Sequence, residues 1–340
     1  MKNLREDCYN PVFSHIYIEK QIKNHPRTER ILERFPNAEI IEIDNYKDIF
    51  NRRGQDCVRQ HRYQALILAK KEPPFFYEGA PVCQDFGNTN FYYCSMIRNC
   101  IYDCDYCYLK GMYPSGHMVI FVNTEDYFSQ LDEILKEKSM YLCVSYDADL
   151  LAVESLAGYG KEWVNYARRD NLAVEIRTKS ANPAMWENAC LPNVIYAFTL
   201  SPQRLIEQNE KGTPSVAARI ACALSGLEKG FPVRLCFDPM LYRPQWREAY
   251  GELLAELDEA FGQRNLSMQM LKDVSVGCFR ISQEYMKRLK RMEPLSPTVQ
   301  FPYVNEGGVY RYPKQLEAEM EEYMIAELSK RMDKEKIYHE

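Results

Sequence analysis

Three cysteines are grouped at a C-x3-C-x2-C spacing in the stretch Cys100-Ile-Tyr-Asp-Cys104-Asp-Tyr-Cys107. This spacing allows one short loop to present three thiolates to three irons of a 4Fe–4S cluster, and it leaves the fourth iron without a protein ligand. S-adenosylmethionine can chelate an open iron through its amino and carboxylate groups. One-electron cleavage of its sulfonium then gives a 5′-deoxyadenosyl radical. The spacing therefore predicts a 4Fe–4S cluster and S-adenosylmethionine as cofactors.

The same cysteines have other readings, which are a zinc site, a disulfide or buried thiols. Zinc sites usually combine a C-x2-C pair with a second pair of Cys or His farther along the chain, and no such pair follows here. Cys94 precedes Cys100 by six positions, at the end of a predicted strand. As a fourth ligand it would close the cluster and suit it only to electron transfer. That alternative, a non-enzymatic iron–sulfur redox protein, stays open.

The sequence around the cysteines resembles the spore photoproduct lyase family of the radical S-adenosylmethionine superfamily, and the likeness runs from about His15 to the last helix. The segments that carry it are Cys104-Asp-Tyr-Cys107-Tyr-Leu, Val119-Ile-Phe-Val-Asn123, Phe198-Thr-Leu-Ser-Pro, Glu210-Lys-Gly-Thr213, Ala218-Arg-Ile220 and Gly230-Phe-Pro-Val233. The resemblance implies a carbon–carbon lyase that repairs a thymine dimer photoproduct in DNA through a 5′-deoxyadenosyl radical. It also implies an electron donor such as flavodoxin or ferredoxin. An enzyme of the same architecture with a different substrate is the alternative.

Composition limits how the chain can meet such a substrate. The 340 residues carry a formal net charge of −5, so nucleic acid would have to bind at a local basic patch. The run Lys287-Arg-Leu-Lys-Arg291 is one candidate patch, and a solvated helix face is an equal reading of it. Twelve cysteines, polar residues at positions 1–7 and the absence of a membrane-length apolar run lead us to expect a cytoplasmic protein.

The order of predicted elements indicates an α/β fold. Residues 1–80 read as a small N-terminal α/β module with a linker, and residues 81–340 alternate strand and helix before a C-terminal helix. Alternation of this kind implies parallel strands joined by crossovers. The predicted strands of the larger unit are Asn90–Cys94, Tyr141–Ser145, Ala173–Thr178, Val194–Leu200, Pro232–Phe237 and Leu266–Leu271. The resemblance implies that they form a partial (β/α)6 barrel of the radical S-adenosylmethionine type.

Polar residues that follow the predicted strands are candidates for the cofactor site, because chemistry in such barrels lies at the C-terminal strand ends. These residues are Asp147, Asp149, Lys179, Ser201 and Asp238. By resemblance, Asp149 would accept hydrogen bonds from the ribose hydroxyls of S-adenosylmethionine, and Lys179 would meet its carboxylate. Ser201 would be a third cofactor contact. Ala148 stands where the family has a serine, so one contact of the family is absent.

The resemblance also predicts how the substrate radical is quenched. The family uses a cysteine and tyrosines, and Tyr108 matches one of those tyrosines. The donor position is occupied by Tyr146, and the nearest thiol, Cys143, lies three residues earlier. An odd offset along a strand turns Cys143 to the opposite face, roughly 10 Å deeper. We therefore expect Tyr108 and Tyr146 to carry the hydrogen transfer. Tyr310-Arg-Tyr312 resembles a late Tyr-x-Tyr that the family places near DNA.

Overall fold

The computed structural model describes residues 13–80 and 83–339 of the chain, so the polar segment at residues 1–7 lies outside it. The strands are β1 His15–Glu19, β2 Glu39–Ile43, β3 Leu66–Ala69, β4 Phe76–Glu78, β5 Phe91–Cys94, β6 Ile97–Arg98, β7 Asp103–Cys104, β8 Met118–Phe121, β9 Met140–Cys143, β10 Leu172–Thr178, β11 Val194–Thr199, β12 Glu210–Lys211, β13 Val233–Met240, β14 Asp273–Cys278, β15 Arg280–Ser282, β16 Val304–Glu306, β17 Val309–Arg311 and β18 Ile337–His339. The helices are α1 Pro26–Leu32, α2 Lys47–Phe50, α3 Cys57–Arg62, α4 Tyr108–Met112, α5 Thr124–Ile134, α6 Glu154–Ala157, α7 Tyr159–Tyr166, α8 Gln203–Asn209, α9 Val216–Glu228, α10 Trp246–Gln263, α11 Gln283–Met292, α12 Pro297–Gln300 and α13 Lys314–Leu328.

The larger sheet is the barrel that the alternating pattern predicts. Its order is β18-β14-β13-β11-β10-β9-β5-β4, and six consecutive strands from β5 to β14 run parallel. Strand β18 adds a seventh parallel strand beyond β14, whereas β4 is antiparallel to β5. The predicted α/β fold with a parallel, partial barrel sheet is confirmed. Helices cover the outer face of the sheet, so each strand is buried on both faces.

One barrel strand was placed wrongly by the sequence pattern. The prediction gave Leu266–Leu271, but that segment contains only a short 3-10 turn at Met268–Met270, and the sixth strand is Asp273–Cys278. The pattern missed this strand because its first residue, Asp273, is charged, and a charged residue is not typical of a buried strand. The structure buries its carboxylate in an ion pair with Arg234 of the neighbouring strand.

A second, five-stranded sheet has the order β2-β1-β3-β8-β6. The predicted strand–helix–strand unit near the N-terminus is present as β1, α1 and β2, with β1 and β2 parallel. Strand β6 lies just before the cluster cysteines, and β8 lies after them. Both strands extend this sheet beyond β3. The sheet that begins before residue 80 is therefore completed by strands that follow it. The division at residue 80 stays a prediction.

A buried ion network links four strands of the barrel sheet. Arg234 donates to both Asp273 and Glu175, and its Nη1 also donates to the Tyr141 hydroxyl at 2.6 Å. All four side chains are buried, so each charge has a partner in place of water. Phe86 lies under the Arg234 guanidinium, 3.1 Å from ring centroid to Cζ.

Candidate active site

A cavity of about 580 Å³ lies at the C-terminal ends of the barrel strands. Seven of the eight residues predicted for the site line it, and these are Cys100, Cys104, Cys107, Tyr108, Tyr146, Asp149 and Lys179. They come from the loop after β5, from the segment after β9 and from the end of β10. Residues up to 79 positions apart in sequence thus share one cavity, as expected for the catalytic end of a (β/α) barrel.

The cysteine loop is held by contacts that the sequence did not reveal. Strand β7, which contains Cys104, pairs antiparallel with β12, and Glu210 is the partner opposite Cys104. Asp105 donates its backbone N–H to the carbonyl of Asn209 at 2.7 Å. The Glu210 carboxylate accepts a hydrogen bond from the Tyr106 hydroxyl between the second and third cysteines. These contacts fix the loop that presents the thiols.

Arg219 holds Glu210 in place through an ion pair. Its Nη2 lies 2.5 Å from Glu210 Oε2, and both side chains are fully buried. Arg219 also donates to the carbonyls of Thr199 and Pro214. Although burial alone raises the pKa of Glu210, Arg219 and the nearby Lys179 lower it below its ordinary value. Both groups are therefore charged at neutral pH, and they form a buried ion pair behind the cysteine loop.

The three cysteine thiols line one cavity, where each could bind a different iron of a cubane. Burial raises the pKa of Cys100 to about 12 and also raises the pKa values of Cys104 and Cys107, so without metal the thiols are protonated. Within residues 13–80 and 83–339, no three His, Cys, Asp or Glu side chains converge as ligands of one metal ion. Three thiolates that each bind a different iron need not converge in this way. A tetrahedral zinc site would require it.

Lys179 presents an ammonium group to the cavity. Its Nζ lies 5.5 Å from the centroid of the Tyr106 ring, and no carboxylate of the described chain forms a salt bridge with it. Burial lowers the pKa of Lys179, but the neighbouring Cys104 and Glu210 raise it to a net value above the ordinary one. Lys179 is therefore a charged donor, beside the cysteines, that has capacity for an anionic ligand.

Asp149 is held rigidly in the cavity wall. Its Oδ1 accepts from the Thr178 hydroxyl at 2.7 Å and from the Ala152 amide at 3.1 Å, and its Oδ2 accepts from the Lys179 amide at 2.6 Å. Burial raises the pKa of Asp149, whereas these donors oppose that rise. A carboxylate has about four acceptor sites, so roughly one remains for a ligand hydroxyl. The expectation of two accepted ribose hydroxyls exceeds this capacity.

Two polar residues predicted at strand ends do not reach the cavity. Ser201 is 1% exposed, and its buried hydroxyl has no hydrogen-bond partner. Strand β11 ends at Thr199, so the strand alternation that would give Thr199 and Ser201 one face no longer applies, and Thr199 alone lines the cavity. Asp147 instead accepts from the Tyr113 hydroxyl at 2.8 Å, behind the wall. The cofactor role of Ser201 has no support from this placement.

Tyrosines also form part of the cavity wall. The rings of Tyr146 and Tyr93 stack with centroids 4.0 Å apart, and the Tyr108 ring lies 6.0 Å from the Tyr146 ring. The Tyr108 hydroxyl donates to the Tyr146 carbonyl at 2.7 Å. Burial is the largest cause that raises the pKa values of Tyr108 and Tyr146 above their ordinary range. Both phenols are therefore neutral at physiological pH.

Of the two other cysteines at the ends of barrel strands, Cys143 does not lie where it was predicted to lie. Cys143 was predicted to face away from the cavity, but it lines the cavity together with Tyr146. The prediction was wrong because β9 ends at Cys143, and the residues after it no longer alternate between faces. The Cys143 thiol lies 4.0 Å from Glu175 Oε1. Cys94 is fully buried and does not line the cavity, so its placement does not favour a fourth ligand.

Of the residues predicted to approach DNA, some are exposed and others are buried. Tyr312 is fully buried, and its hydroxyl accepts from the Tyr242 amide at 2.9 Å, so it belongs to the core. The run Lys287-Arg-Leu-Lys-Arg291 lies on α11, where Leu289 is buried. The exposed members of this run form the basic face of α11, which consists of Lys287, Lys290 and Arg291. Ser282 and Tyr285, at the start of α11, line the cavity.

Sequence reasoning missed several residues of the site. Cys83 and Tyr93 line the cavity, as do Arg177, Arg280 and Asp238, which form a charged group. Asp238 was recognised only as a residue after a strand. Glu210 and Arg219 occurred in segments that carried the family resemblance, but the sequence did not indicate that they pair. Cys83 had no spacing signal, because its partner Tyr146 is 63 positions away.

Comparisons with known proteins agree on one family. The model of the spore photoproduct lyase family matches residues 11–339. The spore photoproduct lyase of Bacillus subtilis (strain 168) is 22% identical over 258 residues, which is 73% of each chain. The protein of the same name from Clostridium acetobutylicum is 23% identical over 275 residues, covering 76% of this chain and 78% of the relative.

Solved structures of spore photoproduct lyase have the same fold. A mutant of that enzyme with bound AdoMet (S-adenosylmethionine) and dinucleoside spore photoproduct superimposes with a TM-score of 0.82 at 18% identity, over 96% of this chain and 98% of that one. Another structure, complexed with dinucleoside spore photoproduct, gives a TM-score of 0.79 at 17% identity. Because the family model spans nearly the whole sequence, this chain belongs to the spore photoproduct lyase family.

Proposed function

We propose that the protein is a radical S-adenosylmethionine lyase that reverses a thymine dimer photoproduct in DNA. One observation carries the proposal. A single cavity is lined by three cysteine thiols, a lysine ammonium, a held carboxylate and neutral tyrosines. The thiols, the ammonium and the carboxylate suit an open cluster with its chelated cofactor, and the tyrosines suit the quenching of a substrate radical.

The chain's own residues would act as follows. Cys100, Cys104 and Cys107 would hold the cluster, which with S-adenosylmethionine supplies a 5′-deoxyadenosyl radical. Lys179 would bind the methionine carboxylate through a charge-assisted hydrogen bond, because its ammonium has no carboxylate partner in the described chain. Asp149 would accept one ribose hydroxyl at its remaining acceptor site. Together they would orient the cofactor toward the tyrosine wall.

DNA would reach this cavity through an extruded lesion. A base that is badly stacked costs little to flip, and a pocket of about 580 Å³ lies within the range that encloses small ligands. The basic face of α11 starts beside the cavity and is exposed, so it can meet backbone phosphates in spite of the net charge of −5. The solved relatives that contain dinucleoside spore photoproduct support this substrate.

Two departures in the cavity wall favour a second candidate, the same chemistry on another substrate. Ala148 occupies the position of a family serine, and Tyr146 occupies the position of the family's donor cysteine. Both residues line the cavity, so either change alters what a bound substrate meets. A different nucleic-acid lesion, a nucleotide or a peptide are the substrate classes of this candidate.

The experiment that tests both candidates is anaerobic turnover. The protein is reconstituted with iron and sulfide, reduced, and incubated with S-adenosylmethionine in the presence or absence of dinucleoside spore photoproduct. We expect four irons per chain, 5′-deoxyadenosine in both samples, and thymine dinucleotide only with the probe. Deoxyadenosine without repair would favour the second candidate. Absence of deoxyadenosine from a fully reconstituted sample would refute both.

A further inference from the structure

The cysteine loop has an inner and an outer side. The side chains of Cys104 and Tyr106 line the cavity, whereas those of Asp103 and Asp105 do not. This alternation begins in β7, because successive side chains of a strand point to opposite faces. Asp103 is also partly exposed, so its side of the loop reaches the protein surface. The outer side, which carries the two aspartates, is therefore separated from the cavity by the loop alone.

The carboxylates on the outer side are surrounded by cations. The Asp103 carboxylate lies 2.6 Å from Lys110 Nζ and 4.0 Å from His61 Nδ1. The Asp105 carboxylate lies 3.4 Å from Lys211 Nζ. The Lys211 side chain is itself well exposed, because the residue follows Glu210 into the turn after α8. Both acids of the loop thus have basic partners, and neither presents an isolated negative charge to an approaching molecule.

Helix α3 brings unpaired cations to the same side. It lies against the loop, because Gln64, two residues after its end, donates from its side-chain amide to the carbonyl of Cys100 at 3.1 Å. Arg59 and Arg62 are three positions apart on α3 and are neighbours on its surface. Both are exposed, and neither forms an ion pair with a carboxylate of the described chain. Arg59, Arg62 and Lys211 together are the outer cationic face.

We propose that the outer cationic face is the docking surface for an acidic electron-transfer protein that reduces the cluster. The inference rests on the proposed function, because an open cluster cleaves S-adenosylmethionine only after it has gained one electron. In this step the donor loses one electron and the cluster gains it, and no bond forms or breaks. Electron transfer slows steeply with distance, so a donor must dock where little protein covers the thiols. The outer side of the cysteine loop meets that requirement.

The charge of the face selects the kind of partner. A chain with a net charge of −5 repels an acidic donor on average, so a local cationic face is needed to orient its approach. Electron-transfer complexes use small interfaces, below about 1,200 Å², which a short helix and a neighbouring turn can supply. The cavity is a poorer entrance, because cofactor and substrate would occupy it during turnover. A negatively charged donor on the outer side would leave it free.

The kinetic test is stopped-flow reduction of the reconstituted protein. One reductant is reduced flavodoxin, an acidic protein, and the other is photoreduced deazaflavin, a small neutral donor that needs no docking. In Arg59→Glu/Arg62→Glu we expect the second-order rate constant with flavodoxin to fall about tenfold or more at low ionic strength. The difference should shrink as salt is added, and the rate with deazaflavin should not change.

The matched control reverses the same amount of charge elsewhere. Arg168 and Lys229 are exposed and precede β10 and β13, so they lie at the N-terminal ends of barrel strands, away from the cavity. Arg168→Glu/Lys229→Glu should keep the wild-type rate with flavodoxin within about twofold, because steering depends on charge near the docking site. The neutral variant Arg59→Gln/Arg62→Gln should lie between wild type and the charge reversal.

A second measurement needs no cluster. The affinity of oxidised flavodoxin for the full-length protein without iron is measured by calorimetry at several salt concentrations. We expect Arg59→Glu/Arg62→Glu to weaken binding about tenfold at low salt. A wild type that binds flavodoxin but acquires no cluster would refute the proposed function and leave this affinity to decide the docking surface. Equal rates and affinities in wild type and the charge reversal would overturn it, as would a loss confined to DNA binding.

Discussion

The buried pair behind the cysteine loop gives the sharpest stability prediction. Glu210→Gln keeps the shape of the side chain but removes its charge, so Arg219 stays buried without a counter-ion. Breaking such a pair from one side costs about 3–5 kcal/mol. Arg219 retains the carbonyls of Thr199 and Pro214, which places the expected loss of unfolding free energy near the lower value, about 3 kcal/mol.

This loss converts to a measurable shift in melting temperature. For 340 residues the entropy of unfolding is about 0.7 kcal/mol/K, so the apoprotein should melt roughly 4 °C lower. Glu207→Gln is the matched control, because Glu207 is exposed on the preceding helix α8, and its change should stay within about 0.5 kcal/mol. The assay is thermal unfolding followed by circular dichroism, with iron per chain measured after reconstitution.

The pH dependence has a defined sign. The pKa of Glu210 is lowered in the folded protein, so its ionised form stabilises the fold at neutral pH. That contribution is complete above the ordinary value of 4.5 and is lost as the pH falls through the folded value. The difference between wild type and Glu210→Gln should therefore shrink in acid below pH 4.5. Equal melting of the two proteins at pH 7, with equal iron content, would refute this account of the loop.

Three further changes test the rest of the site. Lys179→Met should weaken S-adenosylmethionine binding roughly tenfold to a hundredfold by calorimetry, because one charge-assisted bond is lost, whereas exposed Lys161→Met should not change it. Cys143→Ala should retain most repair activity, since its thiol faces Glu175 and not a tyrosine, and trapped product in this variant would make Cys143 the donor. Alanine at all three positions of the basic face of α11 should reduce the salt slope of lesion-duplex binding by about 3, and an unchanged slope would exclude this helix from the DNA contact.

Most of the fold follows from local patterns in the sequence. Five of the six barrel strands were predicted within a few residues of their observed bounds, because apolar runs bounded by turn signals are typical of buried parallel strands. The predicted C-terminal helix is α13, which ends at Leu328, and the chain then adds β18 to the barrel. The sixth strand was predicted at the wrong position because its first residue, Asp273, is charged. Its charge is neutralised by Arg234, a partner 39 positions away that no local pattern indicates.

The site was predictable only where spacing carried the signal. The three cysteines lie within one loop, and Asp149 and Lys179 follow strands, so their convergence follows from the barrel topology. The contact between Cys83 and Tyr146 crosses 63 positions and has no local pattern. The same holds for the pairing of β8 with β3 in the five-stranded sheet. No helix among the described residues has both the length and the apolar character needed to cross a bilayer.

The most direct test of the central claim follows one hydrogen atom. Dinucleoside spore photoproduct is labelled with deuterium at the ring carbon from which the adenosyl radical should abstract, and it is incubated anaerobically with the reduced, reconstituted protein and S-adenosylmethionine. Mass spectrometry of the 5′-deoxyadenosine is the measurement. We predict deuterium in the deoxyadenosine together with repaired dinucleotide. Unlabelled deoxyadenosine beside intact photoproduct would contradict the account.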